Sequence, residues 1–162
     1  MGTGDSGIYY SSHGSRLVGF RALIHSFDGK FTYDVKGKLS RMKSGGHGQS
    51  NIDFLRRNGA KVEITKTYAN GIRVGNVSIH SNKIKREGEG QTWFPKNWKQ
   101  KDMTRAGEHV VKLKENRHVK DGVAVYGMYK GVRVGIIKTN GKIATIFPDK
   151  YQPITKKGKR KR

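Results

Sequence analysis

Residues 61 to 80 read KVEITKTYANGIRVGNVSIH. Asn70-Gly71 lies in the middle of this stretch, and Asn-Gly between two β-forming segments is the strongest short-range signal for a hairpin. The segment therefore predicts two antiparallel strands joined at a tight turn. This hairpin is the starting point for the β part of the fold.

A second β region is predicted in the last third of the chain. Three strand-like stretches, GVAVYGMY, VRVGIIK and IATIF, follow one another there. They are linked at Lys130-Gly131 and by residues 139–142, which contain Asn140-Gly141. Short turns of this chemistry between strands are typical of an antiparallel β-meander.

Three short helices are predicted from the spacing of apolar residues. Their ranges and inward faces are 34–42 (Val35, Leu39, Met42), 50–59 (Ile52, Leu55) and 101–116 (Met103, Ala106, Val110, Leu113). The second helix has a Ser/Asn start signal and a glycine stop at Gly59. The fold class predicted from these elements is α+β, with small helices packed on an antiparallel hairpin and a β-meander.

The charge of the chain is its strongest compositional signal. Among 162 residues, 34 are Lys or Arg and 12 are Asp or Glu, which gives a formal net charge of +22 at pH 7. Such an excess favours a polyanionic partner, with nucleic acid first. A basic surface that only confers solubility, or that binds anionic lipid, is the alternative. No apolar run approaches the ~18 residues that a membrane-spanning helix needs.

The composition also predicts how the chain is organised. The absence of Cys excludes disulfides and thiolate zinc ligands. Residues 1–20, rich in Gly and Ser, are predicted to form a linker, and residues 155–162 a solvated basic tail. The range 21–154 is then a single domain. No secretory signal is visible at the start.

Two of the six histidines stand out by their surroundings. His47 lies in SGGHGQSN, residues 44–51, where the glycines indicate a backbone shaped for the close approach of another group. His80 ends the predicted hairpin and opens HSNKIKREGEGQTWFP, which is interpreted as a polar, glycine-punctuated loop. Loops held by a rigid scaffold carry function disproportionately.

This pair of histidines, with lysines nearby, supplies what RNA cleavage requires. A neutral imidazole removes the proton from the 2′-OH, and a protonated one delivers a proton to the departing 5′-oxygen. A pKa of about 6.5 makes both forms available near neutrality. A lysine would stabilise the charge that develops on the phosphate. Two ordinary surface histidines are the alternative, whereas a two-metal site is disfavoured because no carboxylates cluster near either histidine.

The other four histidines are weaker candidates. His25, in LIHSFDG, is the best of them. His109 is predicted to pack on its helix, His118 to be solvated, and His13 to lie in the linker.

The stretch QTWFPKNW, residues 91–98, has both apolar and recognition chemistry. Trp93 is predicted to stack on a base. Gln91 and Thr92, at the edge of the loop, are predicted to contact substrate. Phe94 and Trp98 are expected to pack in the core.

Five motifs follow one another in the order SGGHG, NGIRVGN, HSNKIKR, GQTWFPKNW and GKIATIFP. In this order they resemble bacterial EndoU-type nuclease domains, in particular those at the C-terminal end of the LXG group of polymorphic secreted toxins of Gram-positive bacteria. The resemblance runs from about Gly45 to Pro153. It implies a compact α+β fold related to small ribonucleases, and RNA cleavage by two histidines and a lysine, often at uridine. The product is a 2′,3′-cyclic phosphate, and neither a metal nor a cofactor is expected.

The resemblance also implies roles for individual residues. His47 and His80 match the catalytic pair, and Lys85 is the choice for the lysine, with Lys83 in reserve. His80 follows His47 by 33 positions (80 − 47), so the intervening hairpin must return it to His47. The glycines around His47 would then clear room for a phosphodiester backbone.

Near the end of the chain, the family often has Thr and Tyr beside the uridine. The matching residues are Thr145 and Phe147. Phe147 keeps a ring for stacking but lacks the hydroxyl, which predicts a relaxed uridine preference. Thr145 keeps a hydroxyl that can bond a base.

The biological role implied by the resemblance is that of a monomeric toxin in competition between bacteria. It would be secreted as part of a larger protein and act in the cytoplasm of the target cell. A cognate immunity protein, expected to be acidic, would cover the basic cleft. The alternatives are a metal-dependent DNase toxin and a noncatalytic nucleic-acid-binding module, since basic charge attracts RNA and DNA alike.

Overall fold

The computed structural model of the protein describes residues 17–153, so His13 and the predicted basic tail lie outside the described residues. Within that range, the elements in chain order are α1 (Phe20–Asp28), β1 (Lys30–Tyr33), β2 (Leu39–Ser44), α2 (Gln49–Arg57), β3 (Val62–Thr67), β4 (Arg73–Val77), α3 (Lys83–Glu87), β5 (Gln91–Trp93), α4 (Gln100–Lys112), a 3₁₀ turn (Lys114–Asn116), β6 (Val125–Tyr129), β7 (Val132–Thr139) and β8 (Lys142–Pro148). The strands form antiparallel sheets in the orders β1-β2, β3-β4-β5 and β6-β7-β8. The predicted α+β class is confirmed.

The hairpin predicted in residues 61–80 is formed by β3 and β4. Val62 lies opposite Val77 and Thr67 opposite Arg73. The connection spans residues 68–72 and is closed by a hydrogen bond from the Tyr68 amide to the Ile72 carbonyl (2.8 Å). Strand β5 then pairs with β4 and makes a three-stranded sheet. The meander β6-β7-β8 is likewise confirmed.

The helices predicted near residues 50–59 and 101–116 are confirmed as α2 and α4. Ile52 and Leu55 of α2 are buried, as are Met103, Ala106 and Val110 of α4. These two helices fill two separate cores. One core lies between α1, α4 and the meander, and the other lies between α2 and the β3-β4-β5 sheet.

The helix predicted over residues 34–42 is wrong. The Asp34 carboxylate accepts hydrogen bonds from the amides of Lys36 (2.8 Å) and Lys38 (3.0 Å), which makes a turn instead of a helical start. Strand β2 follows and pairs with β1. Val35, expected on the inward face, is fully exposed. The apolar spacing was a coincidence of a turn followed by a strand.

The predicted linker also ends earlier than residue 20. Val18 is fully buried and forms a bridge with Ile143 of β8, and the Ile143 amide donates to the Leu17 carbonyl (2.8 Å). Helix α1 is fixed to the same strand because the Ile146 amide donates to the buried Ser26 hydroxyl (3.0 Å). These contacts make residues 17–28 part of the domain.

Candidate active site

The loop that carries His47 is docked onto the C-terminal end of α1. The last four carbonyl groups of a helix have no partners within the helix. In α1, all four accept hydrogen bonds from this loop or from α2. The pairs are Gly46 N to His25 O (3.0 Å), His47 N to Ser26 O (2.7 Å), Gly48 N to Phe27 O (2.9 Å) and Asn51 Nδ2 to Asp28 O (3.0 Å). The docking brings His25 and His47 to the same end of one helix.

The glycines before His47 are required by this docking. A Cβ atom on Gly45 would lie well inside 3.0 Å of the His25 carbonyl oxygen. Gly45 and Gly46 also have φ values of +70° and +71°, in the left-handed region that favours glycine. The close approach predicted from the glycines is therefore made by α1, and they are explained without a phosphodiester backbone.

A cleft of about 510 Å³ opens beside the docked loop. Polar and aromatic side chains line it, from α1, α3, β5, β6 and β8 and from the segments around His47 and after β8. These include His25, His47, Lys85, Thr92, Tyr126, Thr145, Phe147, Asp149, Lys150 and Tyr151. Two histidines and two lysines thus line one cavity that is large enough for a nucleotide.

His47 is held as a neutral imidazole with one defined tautomer. Its side chain is nearly buried, and its Nδ1 lies 2.7 Å from the Thr92 carbonyl oxygen. A carbonyl only accepts, so Nδ1 carries the hydrogen and Nε2 keeps its lone pair. Burial, and then the charge of Lys85, lowers the pKa of His47 from 6.5 to about 3. His47 is therefore neutral near pH 7, with the Nε2 lone pair available as an acceptor.

His25 lies in the last turn of α1 and is half-buried. Burial is the largest cause that lowers its pKa, followed by the charges of Lys30 and Lys85. The charge of a protonated His25 in turn lowers the pKa of His47. The charge of a protonated His80 lowers it as well, so His47 interacts electrostatically with both histidines.

Lys85 is presented to the cleft by α3. The Asn82 side-chain oxygen caps this helix and accepts hydrogen bonds from the amides of Ile84 (2.9 Å) and Lys85 (3.2 Å). Partial burial lowers the pKa of Lys85. Lys83, the reserve candidate, is exposed and lies 3.9 Å from the Glu87 carboxylate. Of the two lysines, the structure brings only Lys85 into the cleft.

Residues 21–150 match the family model described as Bacterial EndoU nuclease. The chain belongs to the bacterial EndoU nuclease family. The match begins before His25 and includes His47, Lys85, Thr145 and Phe147. Comparison with curated proteins and with solved structures finds no match. An EndoU nuclease acts on nucleic acid, which is consistent with the net charge of +22.

His80 does not line the cleft of this EndoU domain. It is buried, and its Nδ1 accepts a hydrogen bond from the Asn82 amide (2.9 Å), while its carbonyl accepts one from the Arg86 guanidinium (2.9 Å). Burial, and then Lys85 and Arg86, lowers the pKa of His80 to about 4. His80 therefore supports the turn that begins α3 from outside the lining of the cleft, although its charge still lowers the pKa of His47.

The polar, glycine-punctuated stretch after His80 predicts a loop, but the EndoU domain has helix α3 and strand β5 there. Gln91 and Trp93 of β5 are fully buried. The Gln91 amide donates to the carbonyls of Gly45 and Gly46 (3.0 Å each), and the Trp93 indole donates to Asn51 (3.0 Å). The predictions that Gln91 contacts substrate and Trp93 stacks on a base are wrong, because both side chains are fully buried: Gln91 holds the loop that carries His47, and Trp93 bonds Asn51 of α2.

The other residues singled out in this stretch and in β8 lie in the core or in the wall of the cleft. Phe94 is buried and stacks on Trp98 with ring centres 4.9 Å apart, as the predicted packing requires. Thr145 and Phe147 of β8 line the cleft, as does Thr92. The Phe147 ring lies 6.3 Å from that of His47. These residues therefore form the wall of the cleft on the side of His47.

The histidines that were interpreted as peripheral lie away from the cleft. His118 is exposed. His109 is exposed as well, and its ring packs 5.5 Å from Tyr129. Across residues 17–153, no three His, Cys, Asp or Glu side chains are grouped so that they could hold a metal ion. In the same range, no helix has the length and apolarity to cross a bilayer.

Proposed function

We propose that this EndoU domain is an endoribonuclease that cleaves by two-histidine transesterification. The observation that carries the proposal is the shared cleft of His25, His47 and Lys85. His25 takes the place that the sequence assigned to His80. The defined tautomer of His47 supports its role as the base, because its hydrogen bond to Thr92 leaves Nε2 free to accept a proton.

The reaction proceeds without a covalent enzyme intermediate. Nε2 of His47 takes the proton of the 2′-OH while the 2′-oxygen attacks the adjacent phosphorus. The bond from phosphorus to the 5′-oxygen breaks, and protonated His25 delivers a proton to that oxygen. The Lys85 ammonium stabilises the negative charge that builds up on the phosphate oxygens. The products are a 2′,3′-cyclic phosphate and a free 5′-hydroxyl.

The base of the attacked nucleotide lies against β8 in this proposal. The Phe147 ring supplies a stacking surface, and the Thr145 hydroxyl supplies a hydrogen-bond partner. Stacking accepts every base, since each has a π face. We therefore propose that uridine is favoured through Thr145 but not required.

The first test compares one labelled RNA with its all-deoxy counterpart, each with and without EDTA. We expect the RNA to be cut in EDTA and the DNA to stay intact, because DNA lacks the attacking 2′-OH. The new ends should carry a 2′,3′-cyclic phosphate. Cleavage of DNA that requires metal would contradict the mechanism and favour a DNase. Binding of both polymers without cleavage would favour a noncatalytic module.

The proposal also predicts a maximum of kcat/KM on the acidic side of pH 6.5. The pKa of His47, lowered to about 3, keeps the base form present at higher pH. Burial and lysine charges lower the pKa of His25 below 6.5. The protonated form, which acts as the acid, is therefore lost as the pH rises through this lowered pKa. The measurement is kcat/KM between about pH 4 and pH 9.

A matched variant tests this assignment. Lys85→Met removes a charge that lowers the pKa of His25, so the falling limb should move to higher pH while the rate at the maximum drops. A rate that climbs steadily with pH in the wild type would show that His25 is not the acid.

We propose further that the domain is the toxic part of a larger secreted protein used against competing bacteria, with an acidic immunity protein as its partner. Family membership and the strongly basic charge support this role. Induced in a bacterial cytoplasm, the wild-type domain should arrest growth and His47→Ala should not. Coexpression of the immunity protein should restore growth. Arrest by both variants at equal expression would count against cleavage as the cause.

A further inference from the structure

A second pocket lies next to the cleft. It has a volume of about 290 Å³ and is called the side pocket here. Lys150 and Tyr151 line both cavities and form their common wall. Glu89 lines the side pocket, and the next residue, Gly90, lines the cleft. A polymer chain bound in the cleft therefore has an adjacent cavity to enter.

The side pocket is built by an irregularity in β3. Ile64 lies opposite Gly75 and Lys66 opposite Val74, so Thr65 is the extra residue of a β-bulge. Bulges are over-represented beside active sites, where they redirect side chains. Thr65 and Lys66 both line the side pocket. The β-bulge thus forms part of the wall of the side pocket.

Other lining residues of the side pocket are held by specific contacts. The Tyr68 hydroxyl donates to the Lys150 carbonyl (2.9 Å). Glu89 has a φ of +59°, a left-handed conformation that favours glycine, and its amide donates to the Asn76 side chain (2.6 Å). A glutamate held in this conformation between Gly88 and Gly90 points to a use for its carboxylate.

The lining of the side pocket has the groups that recognise a nucleotide. Tyr151 is 71% exposed, which leaves its ring free to stack. The Nζ atom of Lys66 lies 4.5 Å from the ring centre of Tyr68, and the Nζ atom of Lys150 lies 5.6 Å from the ring centre of Tyr151. Each aromatic ring therefore has an ammonium group beside it. Glu89 is the one carboxylate among the described lining residues. A carboxylate accepts hydrogen bonds from the exocyclic amino groups of adenine, cytosine and guanine, whereas uracil has no amino group and offers only its ring N3–H.

We infer that the side pocket binds the nucleotide adjacent to the one cleaved, and that it selects a base with an exocyclic amino group. Tyr151 stacks on this base, Glu89 accepts from its amino group, and Lys66 contacts the neighbouring phosphate. The inference rests on the proposed function, since it takes single-stranded RNA as the substrate.

The kinetic test uses residues that line the side pocket but not the cleft. Lys66→Ala and Glu89→Gln should cleave a nucleoside 3′-(p-nitrophenyl) phosphate at the wild-type rate, because that substrate occupies only the cleft. On a hexanucleotide RNA, Lys66→Ala should lose about tenfold in kcat/KM, about 1.4 kcal/mol. Glu89→Gln should abolish the preference for adenine, cytosine or guanine over uracil in the adjacent position. Lys36→Ala, which removes an exposed charge in the β1–β2 turn, is the control.

A binding measurement separates this inference from the proposed function. A fluorescent 2′-O-methyl hexanucleotide cannot undergo transesterification, so its affinity reports the side pocket even if the wild type cleaves nothing. Weaker binding by Lys66→Ala than by Lys36→Ala supports the inference. Equal losses of affinity in Lys66→Ala and Lys36→Ala would overturn it, and so would an unchanged base preference in Glu89→Gln.

Discussion

Replacing His25 with alanine is expected to lower kcat for RNA cleavage by about 10²- to 10⁴-fold, the usual worth of one general acid or base. His47→Ala should cost a similar factor. Both imidazoles line the same cleft, and the alanine that replaces either one has no titratable group. KM should change little, since the lysines and aromatic side chains that contact substrate are untouched. The measurement is single-turnover cleavage of a labelled RNA with enzyme in excess.

The matched control is His80→Asn. The Asn side-chain oxygen can take over from Nδ1 of His80 as acceptor for the Asn82 amide, so the turn before α3 should be kept. We expect this variant to retain most of its activity. An inactive but folded His80→Asn, together with an active His25→Ala, would restore the pairing of His47 with His80 that the sequence predicted.

Local signals explain what could be predicted from the sequence. The turn dipeptide Asn70-Gly71, the stop at Gly59 and the apolar face of α4 each act over a few residues, and each was interpreted correctly. His47 was found because its glycines are unusual. Lys85 was found through the family resemblance, and its chain neighbourhood is the capped start of α3.

The second histidine of the cleft, His25, could not be predicted in this way, because its position beside His47 depends on contacts distant in sequence. His25 lies among Leu23 and Phe27, where a histidine looks like part of a packed helix. Only the docking of the His47 loop onto the α1 carbonyls turns it into a neighbour of His47. His80 was chosen because HSNK is polar and glycine follows, but those residues cap a helix. A helical interpretation of residues 20–28, from Leu23 and Phe27 with Gly29 as the stop, was the available signal.

Trp93 shows a second reason why the role of a residue could not be predicted from the sequence. Strand β5 has three residues, and all three are buried. A strand covered on both faces does not alternate between apolar and polar residues, so the pattern cannot separate core from surface. The aromatic chemistry of the stretch is compatible with base stacking, and only the packing against Asn51 and α2 decides against it.

Gly45→Ala is expected to lower the free energy of unfolding by about 3 kcal/mol or more. Part of this cost is conformational, since alanine in the left-handed region costs roughly 1–2 kcal/mol. The rest is steric, because the new Cβ would overlap the His25 carbonyl and force the loop away from α1. Urea unfolding monitored by tryptophan fluorescence measures the total.

Gly37→Ala isolates the conformational part. Gly37 has a φ of +81° in the β1–β2 turn, and a Cβ atom there would meet nothing within 4 Å. This variant should lose only about 1 kcal/mol and keep its activity. Gly45→Ala should also lose kcat under conditions where it stays folded, because a displaced loop moves His47 away from His25. Equal destabilisation by the two alanines, with full activity in both, would mean that the docked loop does not hold His25 and His47 in a geometry on which activity depends.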